Sequence, residues 1–444
     1  MRRASTTRGL VVTQPRLSFR SREVWREWLQ LGWPGILLLG LWANYNSGPW
    51  HLTRPPSSPL AVFHAARAAL ALIVPLLAAC VYGRRAGVLR QWTPAHLWML
   101  YAAMALLGGM LSGHRQFSVV YWASAYAGAF LASSACIHEG NEIVDAASIN
   151  RVTWFVVTVV IVALVIVARD VLVVGEGLAA SGYTVLRRMP QVGGMVMSRS
   201  TGLARFAAVP GLVALGMALH RKGVWRMVGL AAYLVVAVFL YIMQSRGATA
   251  GFIGGTFFML ICSGRGGRAV MVLLIIGLAG AVALNAIPPE IIDHLSRGQS
   301  LDQLQTTGRT LAWSDAWVVM SDNPVIGYGF EADRWLIRDH VHNTYMYALV
   351  AGGLPGLGLF VAGLVWAWVL FVRSLRHPAL AASGQKMTLV QVGGVLAFFT
   401  LRSIPEVCGS NYAVDYLVML PAILYVHVLW RHLNAARAGL PRPL

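Results

Sequence analysis

Apolar runs of about 20 residues recur along this chain, separated by short connections that carry arginine. A run of that length crosses a bilayer as a helix, and the hydrocarbon layer admits only segments whose backbone N–H and C=O groups are satisfied internally. With 57% apolar and only 12% charged residues among 444, and a mean hydropathy of +0.61, a water-soluble globule is excluded. The expected class is an all-α polytopic integral membrane protein. Twelve spans are expected, at 29–45, 60–82, 95–111, 117–137, 152–174, 203–219, 227–244, 248–262, 269–287, 344–372, 388–401 and 412–430. The chain then divides into a basic N-terminus (1–28), nine spans (29–287), a long loop (288–343), three spans (344–430) and a C-terminus (431–444).

Orientation follows from the basic residues. Placing both termini in the cytoplasm puts 22 of the 36 Lys and Arg on the inside, which the positive-inside rule favours. The net charge of +19 is therefore mostly topological. It is spread over many short loops without a basic-aromatic patch, so nucleic acid is not an expected partner. The arginine-rich head reads as an anchor for anionic membrane lipid. Cys80, Cys136 and Cys262 fall near the inner ends of their spans and Cys408 lies outside, so neither a disulfide pair nor a metal-binding Cys spacing is available.

Two outer segments are unusually long. Residues 175–201 hold Arg187, Arg188 and Arg199; residues 288–343 exceed an ordinary connection several-fold, which marks a functional loop. Inside the second, Trp313, Ala316, Trp317 and Met320 recur at helical spacing, an expected amphipathic helix at the interface. Asn323-Pro324 ends it and Gly327-Tyr328-Gly329 turns the chain. His340 and His342 then stand where the tenth span begins. Histidine is the side chain that accepts a proton near neutrality.

Arg246 sits between two closely spaced spans, at the edge of the hydrocarbon layer, and Arg309 opens the amphipathic helix. Arginine presents a fork of donors suited to phosphate. No ATP is available outside the cytoplasm, so a reaction there draws on energy stored in its substrate, and a sugar on a lipid pyrophosphate meets that need. Arginines would stabilise the departing pyrophosphate while a histidine takes the proton of the attacking hydroxyl. The outer acids Asp293, Asp302, Asp315, Asp333 and Asp339 show no ligand spacing for a divalent cation, so neither metal nor cofactor is expected.

Ser245-Arg246-Gly247 at a span border, Thr307-Gly308-Arg309 with Trp313, Asn323-Pro324 with Gly327-Tyr328-Gly329, His342-Asn343 and Gly353-Leu354-Pro355-Gly356 together resemble the bacterial O-antigen ligases. The superfamily also holds O-antigen polymerases and protein O-oligosaccharyltransferases. The resemblance is concentrated between Gln244 and Phe360. It implies a GT-C-like glycosyltransferase in the bacterial inner membrane with its active site facing the periplasm. Its donor would be an undecaprenyl-pyrophosphate-linked glycan, its acceptor the lipid A core oligosaccharide, and its chemistry inverting and metal-independent. Carried onto this chain, His342 is the general base, with Arg246, Arg309, Arg187 and Arg188 on the donor pyrophosphate and Asn343, His340 and Ser245 in support. Pro355, where glycine-leucine is common, alters the start of the tenth span.

Each residue also has a plain structural role open to it. Asn343 and His342 suit a helix cap, Arg246 a snorkelling anchor, and Arg309 the start of an interfacial helix. His340 competes with His342 as the base. Polymerisation and protein-directed transfer use the same donor chemistry, while a transporter would place charges and internal repeats near the bilayer midplane. Arg67, inside the second span, is left without a role.

Overall fold

The computed structural model describes residues 32, 34–44, 47–53, 55–82, 91–113, 115–167, 191–192, 195–196, 200–243, 245–264, 266–272, 274–275, 309–337 and 340–437. Apart from a two-residue antiparallel pairing of 191–192 with 195–196, the regular structure described is helical. In chain order it comprises α1 (Pro34–Ala43), α2 (Pro59–Tyr82), α3 (Pro94–Leu111), α4 (Gln116–Ala135), α5 (Glu142–Val167), α6 (Ser200–His220), α7 (Val224–Met243), α8 (Arg246–Ser263), α9 (Arg309–Asp322), α10 (Ala332–Leu336), α11 (Thr344–Leu375), α12 (Lys386–Arg402) and α13 (Val414–Arg437), with short turns at Trp50–Thr53 and Leu380–Ser383.

Among the described residues seven helices are long and apolar enough to cross a membrane: α2, α3, α5, α6, α7, α11 and α13. The protein is a polytopic helical membrane protein. α1, α4, α8 and α12 occupy four more of the expected spans but are shorter or more polar, and most of 269–287 lies outside the described residues. α5 begins ten residues before the expected start of its span, because Asp145 in its first turn accepts from the His138 backbone N–H at 2.8 Å and favours the helix N-terminus. Arg67 gains a role: its Nε donates to the Ala43 carbonyl at 2.7 Å, satisfying the end of α1.

α13 is the axis of the bundle, with 89% of its best apolar window buried in protein, against 17% for α7 at the periphery. Tyrosines fasten the other helices to the connection before α13. Tyr101 donates to the Ser410 carbonyl at 2.6 Å, Tyr126 to Gly409 at 2.8 Å and Tyr412 to Leu41 at 2.7 Å. Each hydroxyl satisfies a carbonyl that would otherwise be buried without a partner.

α11 breaks at Gly353 (φ 68°, ψ −170°), a conformation that suits glycine. Pro355 lies beyond the break, inside the helix, so the expected effect on the start of the span is corrected. Pro355 lacks an N–H, which frees the Ala351 carbonyl, and the kink frees the Val350 carbonyl and the Leu354 N–H. The 324–329 loop takes up all three: Gly329 donates to Ala351 at 2.9 Å, Tyr328 to Val350 at 2.9 Å, and Leu354 to Pro324 at 2.8 Å. The Asn-Pro and Gly-Tyr-Gly motifs and the Gly-Gly-Leu-Pro-Gly motif are thus two halves of one backbone joint.

Candidate active site

The start of α11 is stitched to the 403–408 connection. Asn343 is its N-cap, accepting from the Tyr345 and Met346 N–H groups at 2.9 Å each, while its Nδ2 donates to the Ile404 carbonyl at 2.9 Å. Thr344 Oγ1 donates to the Glu406 carbonyl at 2.9 Å and accepts from the Cys408 N–H at 2.7 Å. Glu406 is thereby set opposite His342. Its Oε2 lies 3.3 Å from His342 Nδ1 and its Oε1 3.2 Å from Arg309 Nη2.

Burial alone would raise the Glu406 carboxyl. The His342 hydrogen bond and the nearby Arg402, His342 and Arg309 charges overcome burial and hold it down at about 2. An ionised carboxylate only accepts, so Nδ1 of His342 presents its proton to Glu406, and in the neutral ring the lone pair is on Nε2. That is the tautomer of a general base. His342 also adopts φ 44°, a left-handed conformation that costs a non-glycine residue energy and occurs disproportionately at functional sites.

His340 has its own carboxylate. Asp333 Oδ2 lies 2.6 Å from His340 Nδ1 and accepts from the Val341 N–H at 3.3 Å; the Asp333 side chain is buried and its Oδ1 lacks a partner. The two imidazole rings are 4.8 Å apart. Between them the Val341 carbonyl accepts from the Trp313 indole at 2.6 Å, so α9 fixes the segment that bears both rings. α9 buries Ala312, Ala316 and Met320. Trp317, expected on the same stripe, is 56% exposed beside Leu311 and Val318, because the buried face is one set of i, i+4 neighbours and Trp317 falls next to it.

Arg246 is the first residue of α8, with Ser245 as the N-cap position, although the Ser245 side chain makes no capping bond. The following Gly247 faces the 405–406 turn: a Cβ there would lie 3.4 Å from Pro405 and 3.8 Å from Glu406. Arg309 and His342 therefore meet at Glu406, and the start of α8 passes beside it through the Gly247 backbone. Arg187 and Arg188 lie outside the described residues.

Sequence reasoning missed Glu406 and the ion cluster behind it. Asp415 is fully buried and pairs with Arg402 at 2.9 Å and with Arg205 at 3.3 Å, tying α12, α13 and α6 together. The available signal was two acids, Glu406 and Asp415, close to Arg402 in a short connection between apolar spans, where an unpaired charge is costly.

Arg246, Arg309, His342 and Gly353 follow one another along the chain, with Arg309 and His342 sharing one carboxylate and Gly353 making one backbone joint. Residues 231–361 match the O-antigen ligase family. The resemblance expected from the motifs holds over this segment, which contains both imidazoles, Arg246, Arg309 and the helix break, and ends before Glu406. No curated protein matches the chain.

Proposed function

We propose that the protein is an O-antigen ligase that moves a glycan from undecaprenyl pyrophosphate to the lipid A core oligosaccharide at the periplasmic face of the bacterial inner membrane. The observation that carries this reading is the Glu406-oriented His342, flanked by Arg309 and the start of α8, within the family-matched part of the chain. Nε2 of His342 takes the proton from the acceptor hydroxyl as its oxygen bonds to the anomeric carbon. The bond from that carbon to the pyrophosphate breaks on the opposite face, and the electron pair leaves on a phosphate oxygen. Arg246 and Arg309 meet the growing negative charge, with Arg187 and Arg188 as further donors from their loop. Glu406 stabilises the imidazolium at Nδ1. Base catalysis of this kind contributes about 10²–10⁴-fold, and preorganised cations often supply the larger share. No step calls for a metal.

The same reading keeps twelve spans, a GT-C-like architecture and cytoplasmic termini. It is tested with purified protein in nanodiscs given lipid-pyrophosphate glycan, lipid A core and excess chelator, without ATP. Glycan appearing on lipid A core supports ligation. Elongated lipid-linked chains point instead to a polymerase, glycan on a supplied protein acceptor to a protein O-oligosaccharyltransferase, and no product in any arm to a transporter.

A further inference from the structure

A pocket of about 350 Å³ lies near the imidazoles and draws its lining from five separate connections and helix starts. Its cations are Arg115, Arg205 and Arg334, against Glu331 as the sole carboxylate of the lining. The Arg115 side chain is exposed and forms none of the ion pairs of the described residues, whereas Arg334 reaches Glu331 at 3.4 Å. Burial first, and Asp333 second, push the Glu331 carboxyl up, which weakens its capacity to balance Arg115 and Arg334, while Arg205 shares the buried Asp415 with Arg402. The lining is electropositive.

Three buried polar atoms of the lining lack partners: Ser47 Oγ, Asn411 Oδ1 and Arg205 Nε. Buried polar groups are nearly always hydrogen-bonded, and these three atoms lie behind the pocket surface, in residues that line it. Trp50, Trp122 and Tyr412 form an aromatic wall, with centroids 6.5 Å apart for the first pair and 6.2 Å for the second. Such rings pack against the C–H face of a pyranose.

Backbone strain points to the same place. Among the described residues three non-glycine positions have positive φ: His342, Arg115 and Glu331. The last two line this pocket. Strain of this kind persists where the surroundings enforce it, and it clusters at ligand clamps.

We propose that this pocket is a subsite for a phosphorylated saccharide, the acceptor side of the transfer reaction. The inference rests on the ligase reading and assigns the second substrate a place within it. Arg309 approaches His342 through Glu406, whereas the pocket approaches it through Glu331, Asp333 and His340. An inverting transfer needs such separate approaches, because nucleophile and leaving group occupy opposite faces of the anomeric carbon. A pyrophosphate has no sugar face to lay on the indoles, so the donor's leaving group suits the Arg309 side.

The test is direct binding to the full chain in nanodiscs, read by tryptophan fluorescence. The probes are a lipid-free phosphorylated core oligosaccharide, the same oligosaccharide after enzymatic dephosphorylation, and undecaprenyl pyrophosphate. The phosphorylated form is expected to bind at least about tenfold more tightly than the dephosphorylated one. The double variant Arg115→Gln, Arg334→Gln should erase that difference while leaving undecaprenyl pyrophosphate affinity unchanged. Both arginines are surface-exposed, and Arg334→Gln alone, expected to lose part of the preference, serves if the double variant is not monodisperse. Equal binding of the two oligosaccharides by wild type, or a variant that loses undecaprenyl pyrophosphate instead, overturns the proposal. Oligosaccharide binding as expected, with no transfer product from the same preparation, overturns the ligase reading and leaves the subsite standing.

Discussion

Glu406→Gln keeps the shape of the side chain and removes its charge. Held at about 2 against an ordinary 4.5, the carboxylate is favoured as an anion by about 3 kcal/mol, shared among its cationic neighbours. Its side chain is only 17% exposed, so solvent screens little of this. In the proposed transfer His342 takes the acceptor proton, and the ring becomes fully positive beside that anion. Losing about half of the stabilisation slows turnover about tenfold. The amide also no longer requires the proton on Nδ1, and the two effects together predict a fall in kcat of about 10²-fold or more. The donor KM should rise by a smaller factor, since Arg309 loses its anchor but keeps its charge. Initial rates with lipid-pyrophosphate glycan and lipid A core in nanodiscs, at matched protein amounts, measure both. A variant with kcat within about twofold of wild type would refute the role given to Glu406. The stability effect has a definite pH window. A depressed carboxyl pKa stabilises the fold above about 4.5 and ceases to do so as pH falls through about 2. The thermal midpoints of wild type and Glu406→Gln should therefore differ at neutral pH and converge as pH approaches 2.

His342→Ala should lose transfer by about 10²–10⁴-fold with donor binding retained, measured as kcat beside an undecaprenyl pyrophosphate titration. His340→Ala strands the buried Asp333 carboxylate and should appear chiefly as lost stability, about 1–3 kcal/mol in thermal scans, with transfer retained. Asp415→Ala leaves two arginines facing each other in the core, one of them Arg402 at 4% exposure, and should cost about 3–5 kcal/mol, read as a lower midpoint in detergent. Gly353→Ala should destabilise by about 2 kcal/mol or more, because φ is positive and the new Cβ meets the Val325 carbonyl; retention of wild-type stability would refute the backbone joint.

Hydropathy revealed the helical class and most span positions because lipid-facing composition is a local property of each segment. It misplaced the start of α5, whose first turns run through polar residues held by His138 and Asp145. The candidate site was legible only in its local strings. His342, Arg246 and Arg309 stand in recognisable local strings, but Glu406 follows His342 by 64 residues, so only folding brings the pair together. The same holds for Arg205 and Asp415, 210 residues apart. Pro355 looked like a modifier of a helix start, and only the Gly329 N–H bonded to the freed Ala351 carbonyl shows what its missing N–H accomplishes.

The break at Gly353 also decouples chemistry from membrane mechanics. Bilayers thicken and thin with lipid and temperature, and spanning helices answer by tilting. The portion of α11 preceding the break is tied to the 324–329 and 403–408 backbones, so the rings beside it ride with those connections, while the longer portion beyond the break moves with α3, against which Phe360 and Gly363 pack. Under the proposed function, turnover should accordingly stay level across nanodiscs of different acyl length.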